Sequence, residues 1–478
     1  MQTRLMATLL ATAALAVAGC NSGSPSSSGT FPPAPPPPPP PPPETSTVRI
    51  VHASADAPNV DILVEGDVAF GDVPFLAATP ITELDSGDYE IQVDARLPGD
   101  ERLAVIGPVT LSLEADIQYN VLAIGNVAAD ADSPEAFGPL ILEQPQEQID
   151  AGDVRVRVVH GAPNAPEVNV FVTEPGDLPA GEMPLGTFAF GEDLDPVTVP
   201  EGDYQIRVAV EDSGEQIVVF DSGAVTLPGG ADLLVTAVPN TGAGDAPVKL
   251  LVSDGQSAFT LRDVNTPSNV RVVHASPDAP AVDVIVNDNF EAPFLAGVPF
   301  PVASDFVSVE AGEYNVKVTA AGNAGAIVID ADVELPAGAE TTVVAVGLLA
   351  DIDALLLADD RRGIATESRV RIVHGAPSAG EVDVYVTAVG AGIEGVDPAI
   401  PAFDFLDDTG YLSLDPGSYD VTVTLAGTDT VAIGPLTIEI SAGGVYSAIA
   451  RDPLPGTDDF GLILLDDFLV EDEGVTEL

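Results

Sequence analysis

Apolar and polar positions along this chain fall into short runs rather than long stripes. From residue 46 onward, segments of Val, Ile and Leu recur, some alternating with polar positions and some unbroken, between clusters of Gly, Pro, Asp and Asn. Strands leave this signature, because successive side chains point to opposite faces and the turns between them need residues that tolerate unusual backbone angles. After the first nineteen residues nothing sustains the 3.6-residue period of an amphipathic helix. The pattern predicts an all-β protein.

One motif organises the runs. VRIVHASADAPNVDILV from Val48 returns as VRVVHGAPNAPEVNVFV from Val156, VRVVHASPDAPAVDVIV from Val270 and VRIVHGAPSAGEVDVYV from Val370. Each copy reads as two strands joined by a tight connection, and the fourth carries Gly380 where the others have Pro58, Pro166 and Pro280. A second signal follows 37 to 45 residues after each histidine, a Gly-x-Tyr at Tyr89, Tyr204, Tyr314 and Tyr419 that enters another strand. Its placement resembles the tyrosine corner of Greek-key sandwiches. Histidine spacings of 108, 114 and 100 residues suit one antiparallel, immunoglobulin-like sandwich of about seven strands per repeat. The expected repeats are 47–148, 153–264, 268–363 and 368–478. Polar stretches separate them, so the array is expected to be beads on short linkers.

The V-R-x-V-H run followed by A-P-x-V-D-V-x-V resembles the bacterial domain of unknown function family 4397, over nearly everything after Ser46. The resemblance implies an extracytoplasmic, often tandem domain. It brings no activity with it.

Residues 1–19 read as a cleavable export signal, with Arg4 as the positive start and an apolar run of thirteen from Leu5 to Val17, too short to span a bilayer. Val17-Ala18-Gly19-Cys20 resembles the lipobox of bacterial lipoproteins, which implies that Cys20 carries the lipid and becomes the mature N-terminus. Cys20 is the only cysteine, so no disulfide is expected even in an oxidising compartment. Asn21 replaces the aspartate that resembles an inner-membrane retention signal, which favours the outer membrane. Residues 20–46 form a Ser/Pro-rich linker with nine consecutive prolines from Pro35 to Pro43. At about 3.1 Å each these make a stiff polyproline spacer of roughly 28 Å, preferred here to the rival reading of a docking ligand for SH3-type grooves.

Charge narrows the partners. Seventy-five acidic residues against sixteen basic ones leave a net charge of −59, which excludes the phosphate backbone of nucleic acid. Lys249 and Lys317 are the only lysines, a balance suited to salt or divalent cations. Aromatic residues make up 5% of the chain and tryptophan is absent, so cores must be aliphatic.

All four histidines occupy one repeat position, His52, His160, His274 and His374. Alternation puts His52 on the face of Val48 and Ile50, so a structural role at the edge of the core is expected. The competing reading pairs each histidine with the residue nine positions on, Asp61, Asn169, Asp283 or Asp383, as a metal or acid–base pair. Asn169 is a poor base, and two ligands fall short of a zinc site. Arg49, Arg157, Arg271 and Arg371 repeat likewise and are expected to pair with carboxylates. Gly390 to Gly395 matches G-x-G-x-x-G, but Pro398 and Pro401 follow where a dinucleotide fold needs a helix. Carboxylate clusters at Asp130/Asp132, Asp351/Asp353, Asp359/Asp360, Asp466/Asp467 and Glu471–Glu473 suggest calcium, without EF-hand spacing.

The expected function is therefore a non-enzymatic, lipid-anchored envelope protein without cofactor, presenting four sandwiches to an envelope protein or surface ligand for adhesion or scaffolding. A ligand-binding module for calcium or glycan is the alternative, the glycan version being weakened by the lack of tryptophan platforms. A hydrolase using a Ser-His-Asp triad assembled across a sandwich comes third.

Overall fold

In the computed structural model, residues 44–176 and 181–466 are described. The export signal, Cys20 and the prolines lie outside them, as does the acidic cluster Glu471–Glu473.

The first repeat contains eight strands: β1 (Thr45–His52), β2 (Val60–Val64), β3 (Asp67–Val73), β4 (Thr82–Asp85), β5 (Gly87–Arg96), β6 (Arg102–Leu113), β7 (Ile117–Ile124) and β8 (Gly138–Pro145). They form two four-stranded sheets, ordered β4-β1-β7-β8 and β3-β2-β5-β6. The β1/β7 pair is parallel, from Thr47 opposite Gln118 to His52 opposite Ala123, and the other pairs are antiparallel. The remaining repeats have the same two sheets, and the second adds a fifth strand, Ala258–Leu261. The protein is thus all-β, in four tandem sandwiches. Repeats 1, 3 and 4 have one strand more than expected and repeat 2 has two more, because edge strands such as Thr82–Asp85 and Leu412–Leu414 are too short to show a period. The first strand also begins at Thr45, inside the expected linker.

The two runs of the sequence motif belong to different sheets. β1 lies in one and β2 in the other, so the segment between them arches across the sandwich.

The repeats are not beads on linkers. Val51, Leu122 and Leu142 of the first repeat share one apolar cluster with Val159, Leu234 and Leu251 of the second. Val273, Val344 and Leu357 of the third pack in the same way against Val373, Ile449 and Ile463 of the fourth. The physical reason lies in the runs themselves. VRIVH and YNVLAI carry apolar side chains on both faces, the pattern of strands covered on both sides. One face of each β1-type sheet fills its own sandwich and the other meets the next repeat. Each such side chain contributes on the order of 1.5–3 kcal/mol when fully buried, so a seam of six or more rivals the ~5–15 kcal/mol that holds a whole domain.

A close approach to the parallel strand of its own sheet demands glycine after the histidine in alternate repeats. The residue after the histidine is Ala53 and Ala275 in repeats 1 and 3, but Gly161 and Gly375 in repeats 2 and 4. A Cβ on Gly161 would stand 2.9 Å from Thr236 Cγ2 and 3.1 Å from the Ala237 carbonyl. On Gly375 it would stand 2.8 Å from Ile449 Cγ2 and 2.9 Å from the Ala450 carbonyl. Odd and even repeats are therefore different halves of a pair.

The pairs also touch. Arg362, just before repeat 4, donates to the carbonyls of Ala55 and Ala57 in the first arch, both at 3.0 Å, and the Ala365 N–H donates to the Asp56 carbonyl. The described residues form a single compact unit.

Candidate functional site

Each repeated histidine ends its strand where the chain leaves one sheet for the other. Its Nε2–H donates to the carbonyl six residues on, that of Pro58 at 3.0 Å, Pro166 at 3.1 Å, Pro280 at 3.0 Å and Gly380 at 2.8 Å. A carbonyl only accepts, so the proton sits on Nε2 and Nδ1 is left as an acceptor. Nδ1 takes the N–H of Ala162, Ser276 and Ala376 at 3.3 to 3.4 Å. In the first repeat it has no hydrogen-bond partner among the described residues. The ring thus latches the arch from inside, and Gly380 replaces proline without loss because the acceptor is a main-chain carbonyl. Burial disfavours the charged ring, lowering the pKa of His52 to about 4 and those of His160 and His274 in the same direction.

The residue nine positions on does not join the histidine. It sits on β2 and its counterparts, in the opposite sheet. Asp61 accepts the Asp72 N–H at 2.8 Å and meets Arg102 at 2.9 Å. Asp283 accepts the N–H groups of Gly297 and Gly322, and Asp383 those of Ala402 and Gly427, all at 2.7 to 2.8 Å. Asn169 bonds Thr187 and Gln216 instead. In repeats 3 and 4 the pairing with one neighbouring strand shifts register at this position, where one carboxylate oxygen holds the displaced strand at Gly297 or Ala402 and the other holds the turn at Gly322 or Gly427 that follows the strand on the opposite side. The acid–base or metal pair is therefore not assembled. Among the described residues no histidine ring bonds a serine hydroxyl or a carboxylate.

The repeated arginines lie on the other face of β1 and its counterparts, in the seams. Three meet carboxylates: Arg157 with Asp193 at 2.6 Å, Arg271 with Asp466 at 2.9 Å and Arg371 with Asp359 at 2.5 Å. Arg49 departs from the expected pairing. It donates to Asn120 at 2.9 Å and to the Ser253 carbonyl at 3.1 Å, and burial lowers its pKa to about 10. All four reach into the neighbouring repeat: Arg49 at Ser253, Arg157 at the Glu143 carbonyl, Arg271 at Asp466 and Arg371 at Asp359. Arg155 and Asp232, 2.6 Å apart, and Thr342 complete these seams and were not singled out from the sequence. Arg155 stands one strand period before Arg157, a spacing that puts both on one face.

The tyrosines form the corner expected of them. Tyr89, Tyr204, Tyr314 and Tyr419 each donate a hydroxyl proton to the carbonyl four residues back, at 2.9, 2.9, 2.6 and 2.9 Å.

Two of the clusters suggested for calcium are arginine partners instead. Asp359 and Asp466 are buried with Arg371 and Arg271, and Asp360 pairs with Arg369 at 3.0 Å. No group of three or more His, Cys, Asp or Glu side chains suited to a metal ion comes together among the described residues. The Gly390–Gly395 stretch is a turn with positive φ at Gly390, Gly392 and Gly395, and it leads into the strand Ile400–Phe403 rather than a helix.

Comparison with known proteins bears on ancestry alone. No curated protein matches the chain. A solved structure that aligns, the Bacillus anthracis TIE protein, covers 85% of this chain and 68% of its own at 12% identity and a TM-score of 0.16, too low for any inference. The family model described as "Domain of unknown function (DUF4397)" matches residues 46–171 and 268–385. Each match runs through one odd repeat and ends on the second strand of its even partner, and together they cover just over half of the sequence. The chain therefore belongs to the domain of unknown function family DUF4397.

Proposed function

We propose that this chain is a lipid-anchored cell-envelope protein, held by Cys20 and lifted off the outer membrane by its proline linker, that presents its sandwiches for adhesion or scaffolding. The observation that carries this reading is how the repeated polar residues are spent. Histidine rings latch arches, tyrosines close corners and arginines clamp seams, so the chemistry common to all four repeats serves construction. Such a unit is a rigid display body, with its variable loops left to meet an envelope protein or surface ligand. A non-enzymatic role follows, because the repeated histidines are buried and committed to main-chain partners.

Cell fractionation tests the anchor. Wild-type chain is expected in the membrane fraction, labelled by fatty acid and open to protease on intact or osmotically shocked cells. Cys20→Ala should lose the label and appear in the soluble fraction. Unlabelled wild-type chain free of membranes would contradict the reading.

A further inference from the structure

The four repeats are copies of one sandwich, and three of them leave much less space between their sheets than the other. The cavities measure about 60, 130 and 40 Å³ in repeats 1, 2 and 4. Repeat 3 leaves about 480 Å³.

The difference traces to matching positions. Beside each histidine, on the parallel strand, stands an alanine: Ala123, Ala237, Ala345 and Ala450. Facing that alanine on the next strand are Pro139, Leu250 and Leu462 in repeats 1, 2 and 4, but Ala354 in repeat 3. Across the sandwich, Val109 and Leu436 face the residue two after the corner tyrosine in repeats 1 and 4, where repeat 3 has Ala331. The walls follow the same trend, with Val272 and Val316 at the positions of Ile50 and Ile91. Compared with repeat 4, two leucine side chains are missing from facing sheets, and Ala331 and Ala354 line one continuous gap.

The chemistry of the walls limits what fits. Asp330 and Asp332 flank Ala331 but turn outward to Asn315, at 3.1 and 3.0 Å, and Asp330 also meets Lys317 at 3.4 Å. The Tyr314 hydroxyl is committed to the Glu310 carbonyl, and Asp353 accepts the Ala354 N–H. What remains is hydrocarbon. An aliphatic cavity of ~150 Å³ already stays dry and takes up benzene, and ligand pockets begin near ~300 Å³. The geometry points to a binding site inside repeat 3 for a neutral hydrocarbon ligand, such as a medium-length alkyl chain or a small terpenoid, held by burial. A fatty-acid carboxylate would find no partner there and would meet aspartates at its border.

The test titrates N-phenyl-1-naphthylamine, which fluoresces in apolar surroundings, into the full chain carrying Cys20→Ala, which has no acyl group of its own to hold the dye. One saturable site per chain is expected, emptied by 1-dodecanol and at least tenfold less well by laurate. The double substitution Ala331→Leu/Ala354→Leu writes the residues of repeat 4 into repeat 3. It should weaken binding at least tenfold without lowering the melting temperature. If the double variant does not fold, Ala354→Leu alone should still weaken binding severalfold. Absence of saturable binding, or unchanged affinity in the folded filled variant, would overturn the site. Equal displacement by laurate would overturn its preference for neutral ligands.

Discussion

At the residue scale, His52 is the most sensitive reporter. Burial holds its pKa at about 4, below the ordinary 6.5, so between those values the folded chain binds fewer protons than the unfolded one. Its contribution is complete above pH 6.5 and is lost as pH falls toward 4. Wild-type chain should therefore lose roughly 1.5 kcal/mol more stability than His52→Gln between pH 6.5 and 5, a window that lies above most carboxylate titration. Denaturant melts of both proteins at those two pH values check this. Parallel losses would show that the ring is not held neutral. The sequence located this histidine on the inner face by alternation alone. Its partner six residues on was not legible, because the arch that brings Pro58 back over the ring depends on two strands lying in different sheets.

At the element scale, the seam between repeats 3 and 4 rests on a buried ion pair. Arg371 and Asp359 are almost wholly buried and belong to different repeats, with Thr342 also donating to Asp359 at 2.6 Å. Removing Asp359 strands the Arg371 charge, so Asp359→Ala should cost about 3–5 kcal/mol, and Arg371→Ala should cost less, because Arg271 stays 3.8 Å from Asp359. The double variant should cost clearly less than their sum, by more than 1 kcal/mol. Additive losses in urea melts would mean that the two do not act together. Much of this seam was visible beforehand. VRIVH and YNVLAI are apolar on both faces, and VHAS in repeats 1 and 3 alternates with VHGA in repeats 2 and 4. Read as chain-edge polarity, the boundaries suggested separate beads. Read as strand faces, the same residues announce pairs, and the glycine after His160 and His374 distinguishes the even members from the odd ones.

At the scale of the whole molecule, charge and packing oppose each other. A net charge of −59 makes carboxylates crowd one another, and salt screens them within about 8–10 Å at 0.1–0.15 M. The melting temperature should rise with sodium chloride. Calcium and magnesium at equal ionic strength should give superimposable curves, because Asp359, Asp360 and Asp466 are occupied by arginines. A saturable increment specific to calcium would restore a cation site on the exposed clusters.

The account stands most directly on the pairing of repeats, and unfolding of fragments measures it. Residues 44–266, comprising repeats 1 and 2, should melt in one cooperative transition. Residues 44–148 and 152–266, made separately, should each expose an aliphatic sheet face, melt at least 10 °C lower or self-associate, and recover the higher transition when mixed. Monomeric single repeats that melt at the temperature of the pair would contradict it.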